Sequence, residues 1–151
     1  LCGAALALLV GCQAQPGSAL TPAAESTARV PLTIQTGKGA RAFSVEVART
    51  GLEQERGLMF RTSLPKDGGM IFPMSPPRPA AFWMKNTPLP LDIIFVRPDG
   101  TIARIAEQTV PYSLDLIECA EPVAAVLEIA GGGAEAAGIQ EGDKVSWGGG
   151  R

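Results

Sequence analysis

The residues best suited to chemistry are the polar side chains set inside apolar motifs, Arg61, Lys85, Asn86, Thr87 and Asp92, with Trp83 beside them as an aromatic that could stack on a ligand. Burying a charge is costly unless it is paired. Asp92, between Leu91 and Ile93-Ile94, therefore calls for a partner, and Lys85 or Arg61 can supply one. Two readings follow. In one, the group is a structural ion pair or turn-fixing carboxylate that holds a Pro-rich loop. In the other, Arg61 and Lys85 bind an anionic or hydroxylated ligand that Asn86 and Asp92 orient. In strand geometry Trp83, Lys85 and Thr87 face one way and Phe82, Met84 and Asn86 the other. An aromatic beside Lys and Thr suits a binding cleft, although Trp is more often core. Lys85 is expected to line the cleft and Asp92 to serve structure. As an enzyme, the chain would use Asp92 as general base and Lys85 as electrophilic stabiliser. No second carboxylate sits at an informative spacing, so a glycosidase pair is unsupported.

Composition narrows the alternatives. The chain has 151 residues and no His, which excludes Ser-His-Asp and Cys-His triads within it and every His-containing zinc site. Three Cys cannot form a four-Cys site. The four Met (Met59, Met70, Met74, Met84) lie among Phe60, Phe72, Phe82 and Trp83, which suits gap-filling against aromatics better than a soft-metal site. No metal or cofactor is expected. Cys119 is flanked by Asp115, Glu118 and Glu121, surroundings that disfavour a thiolate nucleophile. With 13 Lys+Arg against 15 Asp+Glu, the net charge of −2 carries no nucleic-acid footprint.

Residues 1–11 read as a signal peptide truncated at its start. The apolar run at residues 4–11 is far too short to span a bilayer and has the length of a secretory signal core. Leu9-Val10-Gly11-Cys12 resembles the lipobox of bacterial lipoproteins, so Cys12 is expected to carry a lipid. The alternative is ordinary cleavage near Ala14 and a soluble secreted protein. Gln13 after the Cys fits an outer-membrane lipoprotein facing the periplasm. Residues 13–30, rich in Ala, Ser, Thr and Pro, are expected to form a flexible tether. Residues 31–148 then make a single β-rich domain, a length suited to one core.

Within it, Phe43, Val45 and Val47 alternate with Ser44 and Glu46 as in a half-buried strand. Thr50-Gly51-Leu52-Glu53 matches a capping box, opening a brief helix whose buried face Leu52 and Met59 would share. From Pro65 to Pro98 the chain carries eight of its 13 Pro, which rules out a regular helix there. Short extended pieces remain: Met70–Phe72, Ala81–Met84 and Leu91–Val96. Pro98-Asp99-Gly100 predicts a hairpin into Thr101–Ile105. Val123–Ile129 is another strand, Ala134–Gly138 a helical turn, and Lys144–Trp147 a last strand. The pattern predicts an antiparallel sandwich or barrel, jelly-roll-like, of about seven short strands with one or two short helices.

Several motifs occur in order: Gly57-Leu58-Met59-Phe60-Arg61, Gly69-Met70-Ile71-Phe72, Phe82-Trp83-Met84-Lys85-Asn86-Thr87, Pro90-Leu91-Asp92-Ile93-Ile94-Phe95 and Gly138-Ile139-Gln140-Glu141-Gly142-Asp143-Lys144-Val145. In these the chain resembles the bacterial and archaeal domain of unknown function 192 family. The resemblance implies a mostly β fold of sandwich or jelly-roll type and secretion signals in many members. It implies no activity, so no catalytic residue is carried over.

The expected function is a non-catalytic binding module of the bacterial envelope. Its partners would be the membrane, through the lipid anchor, and a small polar or anionic ligand or an envelope protein. The alternatives are a hydrolytic or transfer enzyme using Asp92 and Lys85, and a structural adaptor docking through a flat apolar patch.

Overall fold

The computed structural model describes residues 28–148. The apolar run at 4–11, Cys12 and tether residues 13–27 lie outside the described residues. In chain order the elements are β1 (Arg29–Thr36), β2 (Gly39–Val47), α1 (Gly51–Arg56), β3 (Gly68–Phe82), β4 (Leu91–Val96), β5 (Ile102–Ala106), β6 (Ile117–Ala130), α2 (Gly133–Ala137) and β7 (Lys144–Trp147).

Alternating apolar residues build the sheet. Leu32 and Ile34 of β1, Val45 and Val47 of β2, and Ile71 of β3 share one buried cluster with Ile94, Val96, Leu127 and Val145. Each such side chain contributes about 1.5–3 kcal/mol when fully buried. The strands run in the order β5-β4-β6-β3-β2-β1-β7, and this cluster fills the hollow of a curled half-barrel. The two edges of the sheet touch where Thr101 bridges Lys144 and Val145 N–H donates to the Gly100 carbonyl at 2.8 Å. The fold is mainly β, as the strand pattern predicts, but the sheet is mixed. β2 and β3 run parallel, because the chain crosses over through α1 between them, as parallel neighbours require.

The central strands β3, β4 and β6 are buried on their convex face too. Met70, Phe72, Ile93, Phe95 and Val126 pack there under Leu58 and Met84. All six residues of β4 are buried. Three of the four Met are core residues, Met70, Met74 and Met84, in keeping with the gap-filling role.

Four local expectations change. β1 begins at Arg29, so Arg29 and Val30 pair with Glu46 and Val45 rather than lying in the tether. β3 is one 15-residue strand, not two pieces. Its prolines are accommodated where the register against β6 shifts, between Pro73 and Ala80, which is where strands tolerate Pro. The capping box of α1 is present, but Leu52 is exposed rather than buried. The helix is anchored instead by Gln54, whose amide donates to the Ala48 and Pro73 carbonyls. Finally, β6 extends over 14 residues, well beyond the apolar run that marks it.

Candidate functional site

Asp92 lies on the hollow side of β4 and is fully buried. Its partner is neither Lys85 nor Arg61. Oδ1 accepts from the backbone N–H of Gln108 at 2.7 Å and Gly132 at 3.0 Å. Oδ2 accepts from Ala134 N–H at 2.8 Å. The carboxylate thus supplies the N-terminal cap that α2 lacks, since its own N-cap is Gly132 with no side chain to offer. Sequence spacing pointed to a cation; the fold satisfies the charge with three amides.

Arg61 is committed elsewhere. It forms two parallel bonds to Glu46, Nη1 to Oε1 at 2.7 Å and Nη2 to Oε2 at 2.6 Å, the strong bidentate geometry of a guanidinium on a carboxylate. These bonds hold the guanidinium above its ordinary pKa. Glu46 is buried, not solvent-facing as simple alternation suggests. Arg29 also approaches it, at 3.6 Å.

Lys85 is exposed, with its ammonium 4.9 Å from the centre of the Trp83 ring. Asn86 takes a left-handed φ of 55°, and its carbonyl accepts from Phe60 N–H at 2.8 Å. Thr87 is buried, its hydroxyl donating to the Lys85 carbonyl at 3.1 Å. The segment from Trp83 to Thr87 is therefore a rim folded against the loop after α1.

That rim borders a cleft of about 350 Å³ on the convex face, which takes in Trp83 and Thr87 but not Arg61, Lys85, Asn86 or Asp92. Leu58, Phe72 and Met74 form its buried floor, and Arg56 and Arg78 stand exposed on its walls. Phe72 and Phe82 meet edge to face with centroids 5.1 Å apart. Gly57, at φ 48°, lets α1 end against the Phe72 ring, where a Cβ would come within 3.3 Å.

Glu128 lines this cleft from β6. It is 5% exposed, and its carboxyl has no hydrogen bond or ion pair among the described residues. Burial alone pushes its pKa up to about 8, so at neutral pH it is mostly a protonated acid. Its position is set by close packing. Gly69 of β3 lies against it so tightly that a Cβ would meet the Glu128 carbonyl at 2.4 Å. The sequence carries a signal for this residue, a lone acid inside the otherwise apolar run Val123–Ile129.

Cys119 is buried and unpaired. Among the described residues, no group of three or more His, Cys, Asp or Glu is arranged to hold a metal ion. A second, polar cleft involving Lys38, Glu107, Glu135 and Glu141 holds no comparable buried group. On the cleft side of the molecule, the loop after β5 exposes Val110, Tyr112, Leu114 and Leu116. It is tied to the rim by bonds from Met84 N–H to Ser113 and from Tyr112 N–H to Thr87.

Among curated proteins, none matches the chain. Similar solved structures include two crystal structures. One is a protein of unknown function from Novosphingobium aromaticivorans, 50% identical, with a TM-score of 0.77, covering 79% of this chain and 85% of that one. The other is described as a putative transcription regulator from Sinorhizobium meliloti, 40% identical, with a TM-score of 0.78, covering 81% of this chain and 95% of that one. The model of the DUF192 family, described as uncharacterized ACR, matches residues 32–147. Spanning nearly the whole β domain, that match makes the chain a member of the domain of unknown function 192 family.

Proposed function

We propose that the domain is a binding module of the bacterial envelope, presented on a lipid at Cys12, that holds a small polar molecule in the cleft over Glu128. The observation that carries this reading is Glu128 itself. A folded domain gains nothing in stability from an unpartnered buried carboxyl. Such a group in the lining of a cleft with a partly apolar floor is what a ligand site requires. Trp83 and Thr87 remain as ligand-facing candidates from the sequence. The anion site expected at Arg61 and Lys85 loses both cations, because Arg61 is clamped by Glu46 and Lys85 does not line the cleft. The enzymatic alternative loses its pair, since Asp92 is fully engaged in capping α2.

Native mass spectrometry of the protein purified from its own envelope tests the proposal. The expected result is a bound small molecule that is absent from a Glu128→Leu variant. A protein empty in both forms would overturn it. A second reading, the adaptor, is favoured by the exposed side chains Val110, Tyr112, Leu114 and Leu116. Under that reading, changing Tyr112 and Leu114 to Ser abolishes co-purification of an envelope protein and leaves the cleft ligand in place.

A further inference from the structure

The chemistry of the ligand can be taken a step further, on the assumption that the cleft is a binding site. We infer that the molecule held over Glu128 carries a protonated amine on a small apolar body.

The argument starts from the missing donor. A carboxyl needs hydrogen-bond donors when ionised, and the polar liners nearest in kind are spent. The Gln54 amide donates to the Ala48 and Pro73 carbonyls, and the Thr87 hydroxyl donates to the Lys85 carbonyl. Across the strands, Glu128 is flanked by Met70 of β3 and Ile93 of β4, which have no donor to give. The charged groups bordering the cleft are Glu55 and Arg56 of α1 and Arg78 of β3, all exposed to solvent. Glu46, in the same row beyond Met70, is clamped by Arg61. None of the described residues, Trp83, Arg56 and Arg78 of the cleft lining included, donates to Glu128, which leaves its carboxyl open to a donor carried by a ligand.

An alcohol brings one neutral donor, and a carboxylate brings none. An ammonium brings three donors together with the charge that makes an ionised Glu128 favourable in a buried setting, where charge-assisted bonds are strongest. The remaining floor of Leu58, Phe72 and Met74 takes the apolar body, and aromatic rings beside a cation add to the attraction. The proton balance is explicit. The amine arrives already protonated, the Glu128 carboxyl loses its proton to solvent, and an ion pair forms with no covalent change.

Benzylamine, benzyl alcohol and benzoate are probes of one skeleton that differ only in the polar group. They are titrated into the full chain by calorimetry at pH 7 in buffers of low and high ionisation enthalpy. Benzylamine is expected to bind at least about tenfold more tightly than the other two and to release close to one proton per site. Glu128→Gln is expected to erase both the preference and the release. Equal or tighter binding of benzyl alcohol or benzoate would overturn the amine assignment while leaving the cleft a binding site. So would benzylamine binding that releases no proton and survives Glu128→Gln. If none of the three binds, the amine assignment falls. If protein from the native envelope is also empty, the binding reading falls with it.

Discussion

Glu46 and Glu128 lie in one cross-strand row of the convex face, on either side of Met70, which is in register with both. Both are buried, yet their treatment differs. Glu46 is clamped by the bidentate Arg61, whereas Glu128 has Met70 and Ile93 as its cross-strand neighbours and faces the cleft with no hydrogen bond or ion pair among the described residues. The same sheet face thus holds a carboxylate used to fix a loop and a carboxyl left for something else. The loop that Arg61 fixes carries Leu58, which helps to floor the cleft.

Removing Arg61 should therefore loosen the cleft as well as the fold. Arg61→Met is expected to cost about 1.5–3 kcal/mol, the range for a hydrogen bond to a charged group. It should fall short of a fully buried pair, because the Arg61 side chain is 35% exposed and Arg29 approaches Glu46 at 3.6 Å. Arg61→Lys should recover only part of the loss, since an ammonium cannot reproduce two parallel bonds. Urea melts read the difference, and an unchanged midpoint in Arg61→Met would refute the clamp.

Lys85 and Asp92 should behave as strangers. Lys85→Ala removes an exposed side chain stacked on Trp83 and should change stability by no more than about 1 kcal/mol. Asp92→Ala strands the amides of Gln108, Gly132 and Ala134 and should cost at least about 3 kcal/mol. Adding Lys85→Met to Asp92→Leu should give no rescue. Rescue in that double variant would restore the ion pair that sequence spacing first suggested.

What the sequence made legible was local. The capping box at Thr50 and Glu53 and the hairpin turn at Asp99-Gly100 are decided within a few residues, and both form. The partners of charged residues were not legible, because they come from afar. Arg61 finds Glu46 across 15 positions and Asp92 finds Ala134 across 42. Nothing in the neighbourhood of either residue encodes that distance. The β3 strand was hidden for another reason: its prolines read as breaks, yet they fall where the ladder is already irregular. Glu128 was readable in principle, since an acid amid Val126, Leu127 and Ile129 breaks the burial rule for charged residues.

The anchor is tested apart from the fold. Cys12→Ser should release the protein from membranes or leave an unprocessed precursor, because two acyl chains give stable attachment where one does not. Unchanged fractionation and gel mobility would remove the lipid from the proposal and leave the cleft untouched. Deleting residues 13–27 should leave the melting temperature unchanged, because β1 pairing begins at Arg29.

The sharpest test of Glu128 needs no ligand. Its pKa is raised from 4.5 to about 8 by burial. Below pH 4.5 the group is protonated in both folded and unfolded chains and contributes no pH dependence. Between about 4.5 and 8 the unfolded chain loses the proton while the folded chain keeps it, so unfolding becomes progressively easier as pH rises. Above 8 the dependence levels off. The sign is opposite for Glu53, whose pKa is lowered by the Thr50 and Arg49 backbone amides, and for Glu121, lowered by Arg97. Those groups lose their contribution only as pH falls into the acid range. The chain has no His, so no imidazole titrates in the window that belongs to Glu128. Stability of the empty protein should fall on the order of 3 kcal/mol from pH 5 to pH 8. Glu128→Gln should flatten that slope and make the variant the more stable protein at pH 8. A wild-type profile that is flat across this window would mean that Glu128 has found a partner, and the case for an open ligand site at its carboxyl would be lost.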